Sequence, residues 1–281
     1  MIALVRTEFT KATRRTRTLV IALLLIGLPT LISVAVKTHG RTRRGPDGEG
    51  LFRLAEQSGL LVPAAVLSVT SAFLLIVIAA TFAGDSVAGD AAWGNLRYLL
   101  MRPVSRVRLL IAKAFVAGVL IWAATVLVAL AGLVAGVVLF GSHPVRVPGV
   151  GNLVTGPLGS GFELTAGDLL ARTAVATGYV AFGFTALLAL GTLFSTLTDS
   201  PAGAIGATAG VYIVSEILDG ISQLGRIRYV LPTHYGDAWR TLFLENRYSH
   251  DMVTGIGVQL LYLVVVGTIA ALWFRAKDIR S

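Results

Sequence analysis

Six long apolar runs dominate the chain, and most of its charged residues lie between them. A helix needs about 20 predominantly apolar residues to cross the hydrocarbon core of a bilayer. A spanning β-strand needs only about ten residues, which alternate in polarity. The length of the runs therefore predicts an all-α integral membrane protein, with one transmembrane domain over residues 1–281. Its six predicted spans are 18–36, 59–83, 114–140, 173–197, 201–218 and 252–274.

Composition agrees with a membrane protein. The chain is 55% hydrophobic and 14% charged, whereas soluble domains carry roughly 25% charged residues. The net charge of +9 fits cytoplasmic loops that lie beside anionic lipid headgroups. Nucleic-acid modules interleave basic and aromatic residues, and the sequence lacks that pattern. We therefore expect membrane lipid, and not nucleic acid, as a partner.

The distribution of basic residues predicts the orientation. An even number of spans places both termini on one side of the membrane. Thirteen Lys and Arg residues fall on that side within about 57 residues, against eleven within about 87 residues on the other. The positive-inside rule then predicts a multi-pass protein of the cell membrane with both termini in the cytoplasm. Arg41, Arg43 and Arg44 in the first outer loop argue the other way.

The first residues predict a short helix that lies in the membrane interface. Ile2, Val5 and Phe9 share its apolar face, and Arg6, Lys11 and Arg14 can reach headgroups. A cleaved signal peptide is the alternative, but the apolar run that follows is longer than a usual signal segment. We therefore expect the first span to be retained.

The loop predicted at 84–113 is unusual because it is both basic and apolar. Trp93, Leu96 and Leu99 recur at helical spacing, which predicts a short amphipathic helix. Pro103 lacks an N–H and disfavours a helix at the residue before it. The pattern therefore predicts a helix, a break near Met101, and a second helix that has Pro103 in its first turn and continues through Lys113 into the third span.

This loop resembles the segment between the second and third spans of ABC-2 type permeases, the membrane subunits of one group of ATP-binding-cassette exporters. That segment reads acidic, three residues, Gly-Thr-Leu, then Pro-x-Ser-Arg and a closing Lys. The matching positions here are Asp90, Gly94, Leu96, Pro103, Ser105, Arg106 and Lys113. Asp90 stands where Glu is commoner, and Asn95 where Thr is commoner. Residues 4–25 are also similar to the family's N-terminal elbow, so residues 1–17 are assigned to an elbow.

The resemblance implies a coupling helix at 84–113 that docks on a separate ATPase subunit. It places Arg97, Arg102, Ser105 and Arg106 near that ATPase, with Pro103 at the break. It also implies that Asp90 and Gly94 shape the loop and that Lys113 anchors the base of the third span. Two membrane halves are needed around one pathway, so the resemblance implies a dimer with a second copy or a related permease.

The chain itself carries no nucleotide-binding motif. No Gly-Lys pair occurs anywhere in it, so it has no P-loop to hold nucleotide phosphates. We expect a permease that is not an enzyme, binds no cofactor and has no catalytic residue. ATP and Mg²⁺ would be bound by the partner ATPase.

An ion-coupled carrier or channel is the alternative function. Such proteins bury carboxylates within the membrane, and Glu216 is the acid that falls within a predicted span. Glu216 either faces water at the interface or lies at the mouth of a pathway. In the same span Ala202, Gly206 and Gly210 recur every four residues, which favours close helix packing within one subunit or against a second copy.

Two remaining patterns concern the outer loops. All four His residues are expected in loops without metalloprotease spacing, and a zinc site that combines His234 and His250 with acids has no support from a motif. The Gly- and Pro-rich stretch 141–172 predicts an irregular connector that ends in a short helix capped by Thr165.

Overall fold

A computed structural model of the protein describes residues 1–39, 51–52, 55–94, 105–147, 162–244 and 249–276. Its helices are α1 (Ile2–Thr13), α2 (Thr16–His39), α3 (Val62–Thr70), α4 (Leu74–Ala92), α5 (Arg106–Phe140), α6 (Ala166–Gly183), α7 (Thr185–Leu197), α8 (Pro201–Asp219), α9 (Thr241–Leu244) and α10 (His250–Ala276). Short 3-10 helices cover Gly59–Leu61, Ser222–Val230 and Ala238–Arg240. Strand β1 (Val145–Val147) pairs with β2 (Phe162–Leu164) in an antiparallel ribbon.

Six helical segments among the described residues are long and apolar enough to cross a membrane. They are α2, α4, α5, the pair α6 and α7, α8, and α10. This confirms the predicted all-α membrane protein with six spans. Six crossings place both termini on one side of the bilayer, which we call the terminal side.

The second span differs from its prediction. A single helix over 59–83 is wrong, because the chain turns at 71–73 between α3 and α4. Helix α4 then continues to Ala92, so residues 84–92 belong to a helix and not to a loop. The predicted span ended at residue 83 because the charged residues Asp85 and Asp90 follow its apolar part. In the structure both of these side chains are buried.

Helix α5 is the longest helix among the described residues. It has 35 residues, which corresponds to about 50 Å, and the hydrocarbon core is only about 30 Å thick. It begins at Arg106, with Ser105 in an extended conformation as the N-cap residue, so the prediction that Pro103 occupies the first turn of this helix is wrong. Gly136, near its other end, lies against the backbone of Gly59. If the last 20 residues of α5 fill the core, Lys113 lies roughly 10 Å beyond it, at the level of the headgroups.

The fourth span is broken at Phe184, between α6 and α7. Such a break leaves backbone groups without helical partners inside the membrane, and side chains from two other spans take their place. The amide of Ala186 donates to the side-chain oxygen of Gln259 at 2.9 Å. The Tyr212 hydroxyl donates to the carbonyl of Gly183 at 3.1 Å. The break is therefore satisfied by α8 and α10.

The connector before α6 contains more order than predicted. The ribbon of β1 and β2 lies within the stretch expected to be irregular. The prediction of Thr165 as an N-cap is confirmed, because its hydroxyl accepts from the amide of Asp168 at 3.2 Å and the two residues form a capping box. The helix that begins here is not short, since α6 continues into the fourth span.

Candidate functional site: an ion cluster on the terminal side

Two of the residues singled out by sequence meet in a buried ion pair. Asp90 near the end of α4 pairs with Lys113 near the start of α5, and both side chains are almost fully buried. Lys113 also donates to Glu8 of α1 at 2.9 Å, and Lys11 of α1 pairs with the other oxygen of Asp90. Charges this deeply buried are stable only when they are paired. The three helices are therefore held together by one continuous set of ion pairs.

A second carboxylate extends this set to the start of the first span. Asp85, one and a half turns before Asp90 in α4, pairs with Arg15 and with Arg17, the latter at 2.5 Å. Both arginines lie at the junction of α1 and α2. This junction, the bend of the predicted elbow, is thus tied to α4, the helix that precedes the segment predicted to couple to an ATPase.

We call these residues the ion cluster: Glu8, Lys11, Arg15, Arg17, Asp85, Asp90 and Lys113. They line a cleft of about 40 Å³, which holds a few water molecules at most. The ion pairs of the cluster connect α1, α2, α4 and α5.

The other predicted coupling residues lie beside the cluster or outside the described residues. Gly94 follows α4 with φ +67°, a backbone conformation that glycine adopts readily, so the chain turns away from α4 here. Ser105 is the N-cap residue of α5, and the Arg106 guanidinium reaches the carbonyl of Arg275 in α10 at 3.5 Å. Arg97, Arg102 and Pro103 fall outside the described residues, as does the predicted break.

An apolar cluster holds the same helix ends to α10. Val87 of α4, Leu110 of α5, and Ala270 and Phe274 of α10 are buried together. The ends of α4 and α5 therefore contact α1 through ion pairs and α10 through apolar side chains.

Ser195 of α7 provides a further contact with α4. Its buried hydroxyl oxygen accepts from the amides of Val87 and Ala88, at 2.8 and 2.9 Å. Close packing accompanies this contact, because a Cβ placed on Gly191 would come within 2.4 Å of the Cβ of Ala83. Helices α4 and α7 therefore meet at contact distance with little freedom to slide.

On the opposite side of the membrane, the segment after α8 is fastened to the ends of the spans. The Tyr179 hydroxyl donates to the carbonyl of Tyr235 at 2.8 Å, and the Gln259 amide donates to the carbonyl of Pro232 at 2.7 Å. Burial and the nearby Asp251 carboxylate raise the pKa of the Tyr235 phenol above its ordinary value. Trp239 is fully buried. The segment 220–244, which we call the cover, is therefore folded and is not an open loop.

Glu216 lies near this cover but is not buried by it. Its side chain is exposed on α8, and the charges that act on it are those of Asp219, Asp237 and Arg240. Asp219 itself bonds to the ring of His234. The role of Glu216 at the mouth of a pathway stays a prediction.

The small residues of α8 face away from the rest of the chain. Ala202, Gly206 and Gly210 are exposed, and nothing lies within 4 Å of a Cβ placed on either glycine. The opposite face, which includes Ala204 and Thr208, is buried against α4 and α7. Among the described residues, the stripe therefore makes no packing contact within this subunit.

The unsupported alternative of a zinc site at His234 and His250 finds no cluster in the described part of the chain. No group of three or more His, Asp or Glu side chains comes close enough there to hold a metal ion. His234 is engaged with Asp219 instead.

Most of the ion cluster escaped sequence reasoning. Asp90 and Lys113 were identified through the motif, whereas their partners lie up to 105 positions away in the chain. A usable signal was present in the two aspartates of α4, since acids five residues apart in an apolar run require compensation. The residues missed were Glu8, Asp85, Arg15 and Arg17, with Lys11 assigned only to headgroups.

Comparison with known families identifies the chain. A family model described as "ABC-2 family transporter protein" matches residues 2–279. No curated protein matches the chain. The family match includes α1, the ion cluster and all six spans, so it covers every element described above. The chain therefore belongs to the ABC-2 family of transporter proteins, as a membrane-spanning permease subunit of an ABC transporter.

Proposed function

We propose that this permease exports its substrate and is driven by a separate ATPase subunit that docks on the segment between α4 and α5. The terminal side would be the cytoplasm, and ATP and Mg²⁺ would be bound by the partner. The observation that supports this most directly is the ion cluster, which joins both helices that flank the segment to α1. The family membership favours this function over an ion-coupled carrier that uses Glu216.

The contacts suggest how a movement of the ATPase would reach the membrane. A displacement of the segment 95–104 pulls on the end of α4 and the start of α5. Because Asp90 and Lys113 are paired and buried, the two helix ends move together and carry α1 with them through Glu8 and Lys11. The spans that begin at these ends then tilt, which switches access to a pathway between the two sides of the membrane.

A second permease copy would complete that pathway. The exposed stripe of Ala202, Gly206 and Gly210 on α8 permits the close approach of another helix. One subunit of six spans supplies half of a central pathway, so we propose that this stripe faces the second permease.

Co-purification tests the docking proposal. The tagged chain is extracted from its host membrane in mild detergent, and the eluate is assayed for a stoichiometric partner and for vanadate-sensitive ATP hydrolysis. The double change Arg102→Glu and Arg106→Glu should remove both. The matched double change Lys37→Glu and Arg226→Glu, at two exposed cations on the opposite side, should retain both. Retention of partner and ATPase by the first variant would contradict docking at this segment.

The orientation can be tested separately because the chain has no cysteine. Single changes Ser105→Cys and Ser222→Cys place one thiol on each side of the membrane. In intact cells a membrane-impermeant maleimide should label only the second. Labelling of the first would reverse the assigned orientation.

A further inference from the structure

Helix α1 presents three different faces. Val5 and Ala12 pack against the core, and Glu8 reaches the ion cluster. On the next arc of the helix Ile2 and Phe9 expose 88% and 41% of their surface. Exposed apolar residues beside a membrane span are expected to enter the lipid. This arc therefore sets how α1 lies on the bilayer.

The third face is basic and adjoins the apolar arc. Arg6, Thr10 and Arg14 follow one another at four-residue spacing, with Thr7 and Lys11 beside them, and together they form an open, shallow groove along one face of α1. The two arginines are exposed. Within the described ranges, no carboxylate pairs with either of them, although the nearby cluster pairs each of its own cations. These two charges therefore remain available to an anion.

We propose that this basic face, formed by Arg6, Thr7, Thr10, Lys11 and Arg14, binds the phosphate of an anionic phospholipid in the terminal-side leaflet. Because the adjoining arc is apolar, the arginines lie at the depth of headgroup phosphates when Ile2 and Phe9 enter the acyl region. Guanidinium groups bind phosphate oxygens through paired hydrogen bonds. The Thr7 and Thr10 hydroxyls, which donate to carbonyls of α1, can instead donate to a phosphate oxygen of the lipid.

Lys11 connects this lipid site to the ion cluster. Its side chain lines the groove, and its ammonium group pairs with Asp90. A lipid phosphate in the groove therefore competes with Asp90 for the same cation. If the proposed coupling through the cluster is correct, on which this consequence rests, the anionic lipid content of the leaflet sets how tightly α1 holds the end of α4.

Native mass spectrometry of the purified chain tests the lipid site without the ATPase. Phosphatidylglycerol and phosphatidylcholine with the same acyl chains are titrated in turn, and the ratio of their binding constants is measured. Each cation near an anionic headgroup contributes roughly fivefold to binding. The double change Arg6→Gln and Arg14→Gln should therefore reduce the preference for phosphatidylglycerol by roughly 25-fold. The matched change Lys37→Gln and Arg226→Gln should leave it unchanged.

Each result is decisive. The lipid site would be overturned if the unchanged chain bound phosphatidylglycerol and phosphatidylcholine equally well. It would also be overturned if both double variants lost the preference for phosphatidylglycerol to the same extent. Competition by millimolar inorganic phosphate as strong as that by phosphatidylglycerol would overturn the assignment to lipid. A variant at Arg6 and Arg14 that keeps its lipid preference but loses a co-purifying ATPase would make the face a protein-docking surface instead. The lipid measurement contains no ATPase, so its failure leaves the proposed coupling untouched.

Discussion

Replacement of Lys113 by methionine measures the strength of the ion cluster. The change keeps most of the side-chain length but leaves Glu8 without its partner and Asp90 with Lys11 alone. The side chains of Lys113 and Asp90 are only 3% and 2% exposed. Removing one member of a buried ion pair costs about 3–5 kcal/mol, and the remaining contact with Lys11 favours the lower end. At 2–4 °C per kcal/mol for a chain of about this size, the melting temperature should fall by roughly 6–12 °C.

Size-exclusion chromatography of the heated, fluorescently tagged protein measures that temperature. Arg108→Met is the matched control, because Arg108 is an exposed cation of the same helix, and exposed changes usually shift stability by less than about 0.5 kcal/mol. Asp90→Asn alone and together with Lys113→Met completes a double-mutant cycle, with an expected coupling energy above about 1 kcal/mol. Equal melting temperatures for Lys113→Met and Arg108→Met, or strict additivity in the cycle, would refute the pairing.

Two further predictions concern packing within the membrane. Gln259→Leu leaves the amide of Ala186 and the carbonyl of Pro232 without partners, and each unpaired buried group costs about 1–3 kcal/mol. The melting temperature of this variant should therefore fall by several degrees. An unchanged melting temperature would show that the helix break does not depend on the Gln259 side chain. Gly191→Ala forces a Cβ into contact with α4 and should cost about 1–3 kcal/mol through overpacking. The same change at Gly257, where nothing lies within 4 Å, should be neutral or stabilising in the same melting assay, and similar losses at both glycines would argue against close packing of α4 and α7.

Sequence reasoning succeeded where the signal is local. Runs of apolar residues predicted the six spans, and Pro103 predicted a new helix that continues into the third span, although the structure starts that helix three residues later, at Arg106. The end of the second span was misplaced because hydropathy treats Asp85 as a breaker. Its cost is removed by arginines some 70 positions earlier in the chain, and no window of sequence contains both partners.

The break at Phe184 eluded prediction for the same physical reason. The sequence around Phe184 is a continuous apolar run without proline, so it carries no local signal of a break. The groups that make the break tolerable are Gln259 and Tyr212, on spans whose neighbours are known only after folding. Polar residues in predicted spans are therefore better regarded as unassigned hydrogen-bond partners than as exceptions to the pattern.

Hydrogen bonds hold the short helix α7 near both of its ends. At one end Ala186 is bonded to α10 through Gln259, and at the other Ser195 is bonded to α4 beside the ion cluster. A helix of 13 residues held at both ends transmits displacement along its axis, because packed helices resist compression. Phe184 interrupts the helical hydrogen bonds directly before α7. The proposed coupling through Asp90 and Lys113 therefore predicts that a movement reaches the folded cover through α7 and Gln259, which bonds both Ala186 and Pro232.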